Sequence, residues 1–220
     1  MRKFLILGGV HGVEPQSAYV AHHLANYYNL QKSNDPRFLE LFDLYTGSLE
    51  PKAQLVVIPD FNRYGLKNNT RGNERGVDLN RNLPAFNWSS NYQDKVYFPG
   101  TAPASESQTK LLVEIINNNK FDLIISLHTN HFVKNPNPPQ VNFDGIEVSW
   151  GFEQAKILGK LLELPVTTDI GYSTPGSLGS YCKQINTPCI TIEFDDKLSK
   201  EGVWALYAPE IIRYLTGDLG

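Results

Sequence analysis

Cysteine is scarce: the 220 residues contain only 2, too few for a disulfide framework, so a packed core must hold the fold. Cys182 and Cys189 are expected as buried, reduced thiols. Long apolar runs are missing too, since none reaches the roughly 18 residues that a membrane-spanning helix needs. Nor is there an excess of positive charge. Lys and Arg total 20 against 23 Asp and Glu, a formal net charge of -3, which argues against nucleic acid as a partner, because such binding rests on neutralising phosphates. No internal repeat, charge block or flexible linker interrupts the chain, so residues 1–220 read as one domain.

What is present is the mix of a water-soluble globular protein, 41% hydrophobic and 20% charged. At this length roughly 70% of the unfolded chain's surface can be buried, enough for a core without staples. Met1-Arg2-Lys3 followed by apolar Phe4 to Val10 mimics a signal peptide. The apolar stretch sits at the short end of the ~7–15 residues of such a segment and no small-residue cleavage site follows, so it reads as a first buried strand and a cytoplasmic location is expected.

Phe4–Leu7 is a continuous apolar run, the form of a strand buried on both faces, and Gln54–Ile58 and Phe121–Leu127 read as two further buried strands. Cys189–Phe194 and a short Val166–Asp169 add two more. Helices are expected from Pro15 to about Asn29, from Pro36 to about Phe42, and over Ser105–Asn117 with Ser105 as its cap. Further helices are expected over Gly151–Leu162, Ser177–Gln184 and Trp204–Leu215. Residues 135–144, rich in Pro and Asn, read as a surface loop. Residues 62–100 have little periodicity but carry Phe86, Trp88 and Tyr92, which points to an ordered, functional loop rather than disorder. Strands alternating with helices imply an α/β fold with a largely parallel sheet.

Several strands end in residues capable of metal or acid–base chemistry, and open α/β sheets place their sites beyond the carboxyl ends of strands. His11-x-x-Glu14 follows the first strand. Zinc takes imidazole nitrogen and carboxylate oxygen, and two His with one Glu is an established catalytic set; the alternative is a polar turn whose Glu14 favours a helix dipole. His128 closes another strand as a third candidate ligand or a hydrogen-bonded core residue, while His131 lies beyond it in the loop. His22 and His23 sit mid-helix and are read as structural. Glu193, between Ile192 and Phe194, is either a carboxylate whose burial lifts its pKa toward general-base use or one member of an ion pair. Arg71, Arg75 and Arg81 suit a small anion, because arginine offers a bidentate fork to a carboxylate.

Taken in order, His11-x-x-Glu14, Gly76-Val77-Asp78-Leu79-Asn80-Arg81-Asn82, His128 and Glu193 resemble the zinc carboxypeptidases of the M14 family. The resemblance runs from Phe4 to about Leu215. It is closer to the murein peptide amidase branch through Asn80–Trp88, Gly100–Glu106, Gly171–Ser180 and Cys189–Phe194. It implies an α/β/α sandwich around a mixed, largely parallel sheet, and one zinc ion on His11, Glu14 and His128. It implies Glu193 as general base and then acid, and Arg71 polarising the scissile carbonyl. Asn80 and Arg81 would hold the substrate's terminal carboxylate, Asp78 would fix the His11 tautomer, and Tyr172 would match a mobile active-site tyrosine. The implied partner is a small peptide with a free C-terminal carboxylate. The bond cut would join γ-D-glutamate to meso-diaminopimelate during cell-wall recycling. Val13, Leu83 and Thr129 depart from the branch pattern, Thr129 standing where an Asp is usual beside the metal. Two rivals remain at this level: a deacylase related to aspartoacylase or succinylglutamate desuccinylase, and a non-catalytic peptide or amino-acid binding protein on the same fold.

Overall fold

The computed structural model describes residues 1–49, 53–130, 138–145 and 149–217. The first half contains β1 (Arg2–Leu7), α1 (Pro15–Tyr27), β2 (Gln31–Lys32), α2 (Pro36–Leu41), β3 (Tyr45–Leu49), β4 (Ala53–Ile58) and α3 (Arg63–Asn68). After a long irregular stretch come α4 (Ser107–Asn119), β5 (Leu123–Thr129), β6 (Gln140–Asp144), α5 (Trp150–Leu162), β7 (Val166–Thr167), α6 (Leu178–Gln184), β8 (Cys189–Phe194) and α7 (Lys200–Thr216).

All strands join one sheet in the order β2-β3-β4-β1-β5-β8-β6-β7. The centre, β4-β1-β5-β8, is parallel, and antiparallel pairs attach β3 to β4, β2 to β3 and β6 to β8. Both faces of that centre are covered. In β1, Phe4 and Ile6 join a core with Val20 and Leu24 of α1, Leu158 of α5 and Ile211 of α7. The intervening Leu5 and Leu7 join a second core with Leu112 and Ile116 of α4 and Leu178 of α6. The period-2 geometry of a strand sends alternate side chains to opposite faces. An unbroken apolar run is therefore what a strand between two helical layers requires. Each such side chain, fully buried, contributes roughly 1.5–3 kcal/mol.

Four expectations are corrected. Residues 140–144, read as loop, form β6, in which Val141 and Phe143 face the core while Asn142 and Asp144 face a cleft; its polar residues hid the alternation. Of the rest of that expected loop, residues 138–139 are irregular, while residues 135–137, like His131, lie outside the described residues. Ser105 does not cap α4: Glu106 occupies the N-cap position without a side-chain cap, and Ser105 Oγ donates to its carboxylate at 2.7 Å. The β2–β3 hairpin went unread because Tyr45–Leu49 holds a glycine and exposed polar residues on a sheet margin. Finally, α7 starts at Lys200, where Ser199 caps it by accepting from Gly202 N–H, and it continues through Pro209.

Within 62–100 the chain is ordered but mostly irregular. It opens with α3, capped by Asn62 through Gly65 N–H and ended by Asn69 at φ 52°. The turn after β1 packs directly on this helix. A Cβ at Gly12 would lie 1.8 Å from the Gly65 carbonyl carbon, so only glycine lets His11 and α3 approach so closely.

Candidate metal centre and its cleft

The parallel strands deliver their carboxyl ends to one side, and His11, Glu14, His128 and Glu193 meet there around one cleft. The register of β5 against β8 sets His128 beside Glu193. His11 and Glu14 are each 2% exposed and His128 3%. One ligand atom from each of these three lies within 4.8 Å of the others.

Glu14 sits at the N-cap of α1, yet its side chain caps nothing. Its carboxylate instead reaches both histidines, Oε1 at 2.7 Å from His11 Nδ1 and Oε2 at 2.9 Å from His128 Nδ1. A residue that forgoes a local cap for a distant partner marks a functional constraint. His11 Nε2 lies 3.1 Å from Asp78 Oδ1, an acceptor only, so that nitrogen must donate. In the neutral ring Nδ1 then carries a lone pair aimed at a carboxylate oxygen, an arrangement that needs a proton or a metal cation between the two atoms. His128 is held likewise by Ser126 Oγ, 3.0 Å from Nε2. Two ring nitrogens and a carboxylate, each ring fixed from behind, fit a divalent cation of zinc type.

The surrounding charges are arranged in pairs. Asp78 is fully buried, accepts from Arg71 Nε at 2.8 Å and from Asn80 N–H at 2.9 Å. Burial would raise its pKa, but Arg71 and His11 hold it well below the usual carboxylate range. Glu14 is held low in the same way, its burial outweighed by His11 and His128. His11 moves up, since burial and Arg71 are outweighed by the Glu14 and Asp78 carboxylates. Glu193 goes the other way. Burial pushes its carboxyl up to about 8 against the pull of His128, and its Oε2 is buried without a hydrogen-bond partner.

Of the arginines named from sequence, Arg71 lines the cleft and lies 3.7 Å from Glu14. Arg81 is buried at 4% exposure beside the cleft-lining Asn80, its Nη1 donating to the Asn80 carbonyl at 2.7 Å. Arg75 points away, pairing with Glu106 at 3.5 Å. Asn80 and Tyr172 line the cleft; Asn80 Oδ1 accepts from Leu178 N–H at 2.8 Å, and burial together with Glu193 raises the Tyr172 pKa. Thr129 is 2% exposed, its N–H donates to Glu14 at 3.3 Å and its Oγ1 has no partner.

Three features escaped the sequence. Ser126 shares the face of His128 two residues on, a period-2 signal open to inspection. Asp144 and Asn142 at the deep end of the cleft were hidden by the missed β6. Tyr97, against the arginines, left no local signal.

Fold and site together define an α/β protein with a buried His–Glu–His group able to hold a metal ion. Residues 1–135 match the family model for zinc carboxypeptidases, and the chain belongs to that family, Peptidase M14. It is 34% identical over 167 residues to murein peptide amidase A of Escherichia coli (strain K12), covering 69% of this chain and 62% of that protein. Against murein peptide amidase A of Vibrio campbellii it is 31% identical over 151 residues, 63% of this chain and 54% of the relative. The chain thus spans about three fifths of the length of the curated relatives it matches. The structure of murein-tripeptide amidase MpaA from Escherichia coli O157 superposes with TM-score 0.69 and 27% identity, over 95% of this chain and 81% of that one. Bovine thrombin-activatable fibrinolysis inhibitor, in complex with tick carboxypeptidase inhibitor, shares the fold at TM-score 0.71 and 16% identity, over 100% and 82% of the two chains. No helix among the described residues is long and apolar enough to cross a membrane.

Proposed function

We propose that this protein is a zinc-dependent amidase of carboxypeptidase type. Its proposed substrate is a small murein peptide, cut between γ-D-glutamate and meso-diaminopimelate during cell-wall recycling; the cytoplasmic location expected from the sequence belongs to this proposal. The observation that carries it is Glu193, whose buried Oε2 has no hydrogen-bond partner, in the same cleft as the His11–Glu14–His128 group. Zinc held by His11, Glu14 and His128 would supply Lewis acidity, polarising a carbonyl and making water more acidic.

The chain's own groups do the rest. Glu193 accepts the proton of the attacking water and returns it to the leaving amine. Arg71 donates to the carbonyl oxygen as charge develops there, in a cleft whose buried walls strengthen that interaction. Asn80 and Arg81 hold the terminal carboxylate, fixing the bond in register with Glu193. Asp78 keeps the His11 ring oriented and steadies Arg71 through the 2.8 Å bond. The β6 side of the cleft favours a polar side chain that carries an ammonium group, as the zwitterionic end of diaminopimelate does. Asp144 and Asn142 face it, and a Cβ at Gly179 would lie 2.0 Å from Asp144 Oδ2, so glycine at 179 makes room for that carboxylate.

Elemental analysis of the purified protein beside His128→Ala tests the metal. The expected result is zinc bound by the wild type and lost in the variant. L-Ala-γ-D-Glu-meso-diaminopimelate is then expected to release diaminopimelate, and its C-terminal amide to be cut about 30-fold or more less efficiently, the penalty for truncating one partner of a buried charge pair. A protein that cannot be loaded with zinc, or one indifferent to the amide, would sink the proposal.

A further inference from the structure

We infer that Tyr97 is a positioning residue for both site arginines, an inference that rests on the carboxylate-anchoring reading above. The guanidinium carbon of Arg71 lies 5.1 Å from the Tyr97 ring centroid and that of Arg81 5.6 Å from it. Both distances fall within the ~6 Å reach of a cation–π contact. Two buried guanidinium groups against one ring repel each other, more strongly as water is excluded. Arg71 has counter-charges in Asp78 and Glu14. Arg81 is 4% exposed and makes no ion pair with a carboxylate among the described residues. Arg81 feels the Asp78 and Glu193 carboxylates only from beyond ion-pair distance, and the electron-rich ring face adds attraction at contact range.

That choice of partner has a consequence for binding. A carboxylate beside Arg81 would occupy the N–H fork that a substrate carboxylate needs. An aromatic face attracts the cation through its plane and leaves the guanidinium edge to hydrogen bonding, where Nη1 already donates to the Asn80 carbonyl at 2.7 Å. The ring is itself held in place. It ends a short 3-10 turn, Lys95–Tyr97, capped by Asp94, and the next carbonyl, of Phe98, accepts from Asp78 N–H at 2.8 Å. The backbone next to Tyr97 is thereby joined to the backbone of Asp78, whose carboxylate orients His11 and Arg71. One half-buried ring therefore sets the spacing between the group that polarises the carbonyl and the group that anchors the chain end.

The test compares kcat and KM on L-Ala-γ-D-Glu-meso-diaminopimelate and on its C-terminal amide, with zinc content measured for each protein. Tyr97→Phe keeps the ring and is expected within about two-fold of wild type. Tyr97→Leu is expected to lose roughly ten-fold in kcat/KM on the free acid, through KM as well as kcat, and markedly less on the amide. The free-acid to amide ratio then falls while zinc content is unchanged. Pentafluorophenylalanine at 97 keeps the ring's size but reverses its charge distribution, and is expected to reproduce the Leu result even if Tyr97→Leu fails to fold. An unchanged ratio in folded, zinc-loaded protein of either kind overturns the inference. A wild type indifferent to amidation removes the carboxylate reading, and the role of Tyr97 with it.

Discussion

Asp144 offers a perturbation whose stability and binding effects have opposite signs. It lies on β6 at the deep end of the cleft, and burial pushes its carboxyl from 3.8 up to about 6, against the weaker pull of Lys183. In the unfolded chain the group ionises near 3.8; in the folded protein it keeps its proton to about pH 6. The folded state thus binds more protons across that window, and stability falls as pH rises through it. At about 1.4 kcal/mol per pH unit, the gap from 3.8 to about 6 costs the wild type about 3 kcal/mol at neutral pH. Asp144→Asn removes the titration and keeps the shape. It is expected to match wild type below about pH 4 and to exceed it by up to about 3 kcal/mol above pH 6. Urea titrations of the two metal-free proteins from pH 4 to 8 measure this as a difference in midpoint with unchanged slope. The same variant is expected to raise KM for a peptide ending in a residue with a side-chain ammonium, because the cost in stability is retained for a charge that faces the cleft. A stability offset that is flat with pH, or an Asn variant less stable at neutral pH, would refute the reasoning.

Two further perturbations bear on the cleft. Glu193→Gln is expected to leave zinc content unchanged while kcat falls by about 10² or more; steady-state assays on metal-analysed protein decide this, and near-normal turnover removes Glu193 as the base. Gly179→Ala places a methyl group 2.0 Å from Asp144 Oδ2, so one of them must shift. KM for the tripeptide is expected to rise several-fold with little change for a substrate ending in glycine, and equal effects on both would show that Gly179 does not shape the side-chain end of the cleft.

Much of this protein is legible from its chain alone. Unbroken apolar runs such as Phe4–Leu7 announce strands covered on both faces, and Pro15, Ser177 and the helical spacing of Leu111, Leu112, Ile115 and Ile116 mark helices. These are local signals, set by side-chain period and backbone sterics over a few residues. The residues His11, Glu14, His128 and Glu193 stand out for a related reason, since each is a polar group at or near the end of an apolar strand.

What the tertiary structure decided is everything set by distance across the sheet. Glu14 reaches from an N-cap to His128, 114 positions away in sequence, and no local pattern specifies that bond. The fate of the three arginines differs although they sit in one short segment. Arg71 faces the cleft, Arg81 lies buried against Tyr97, and Arg75 turns out to Glu106. β6 shows the same limit from the other side. Its Asn142 and Asp144 are polar because they line a cleft, which makes a buried strand look like a loop until β8 is seen pairing with it. A strand's neighbours and a side chain's dielectric surroundings are properties of the assembled chain, and the chemistry of this site rests on both.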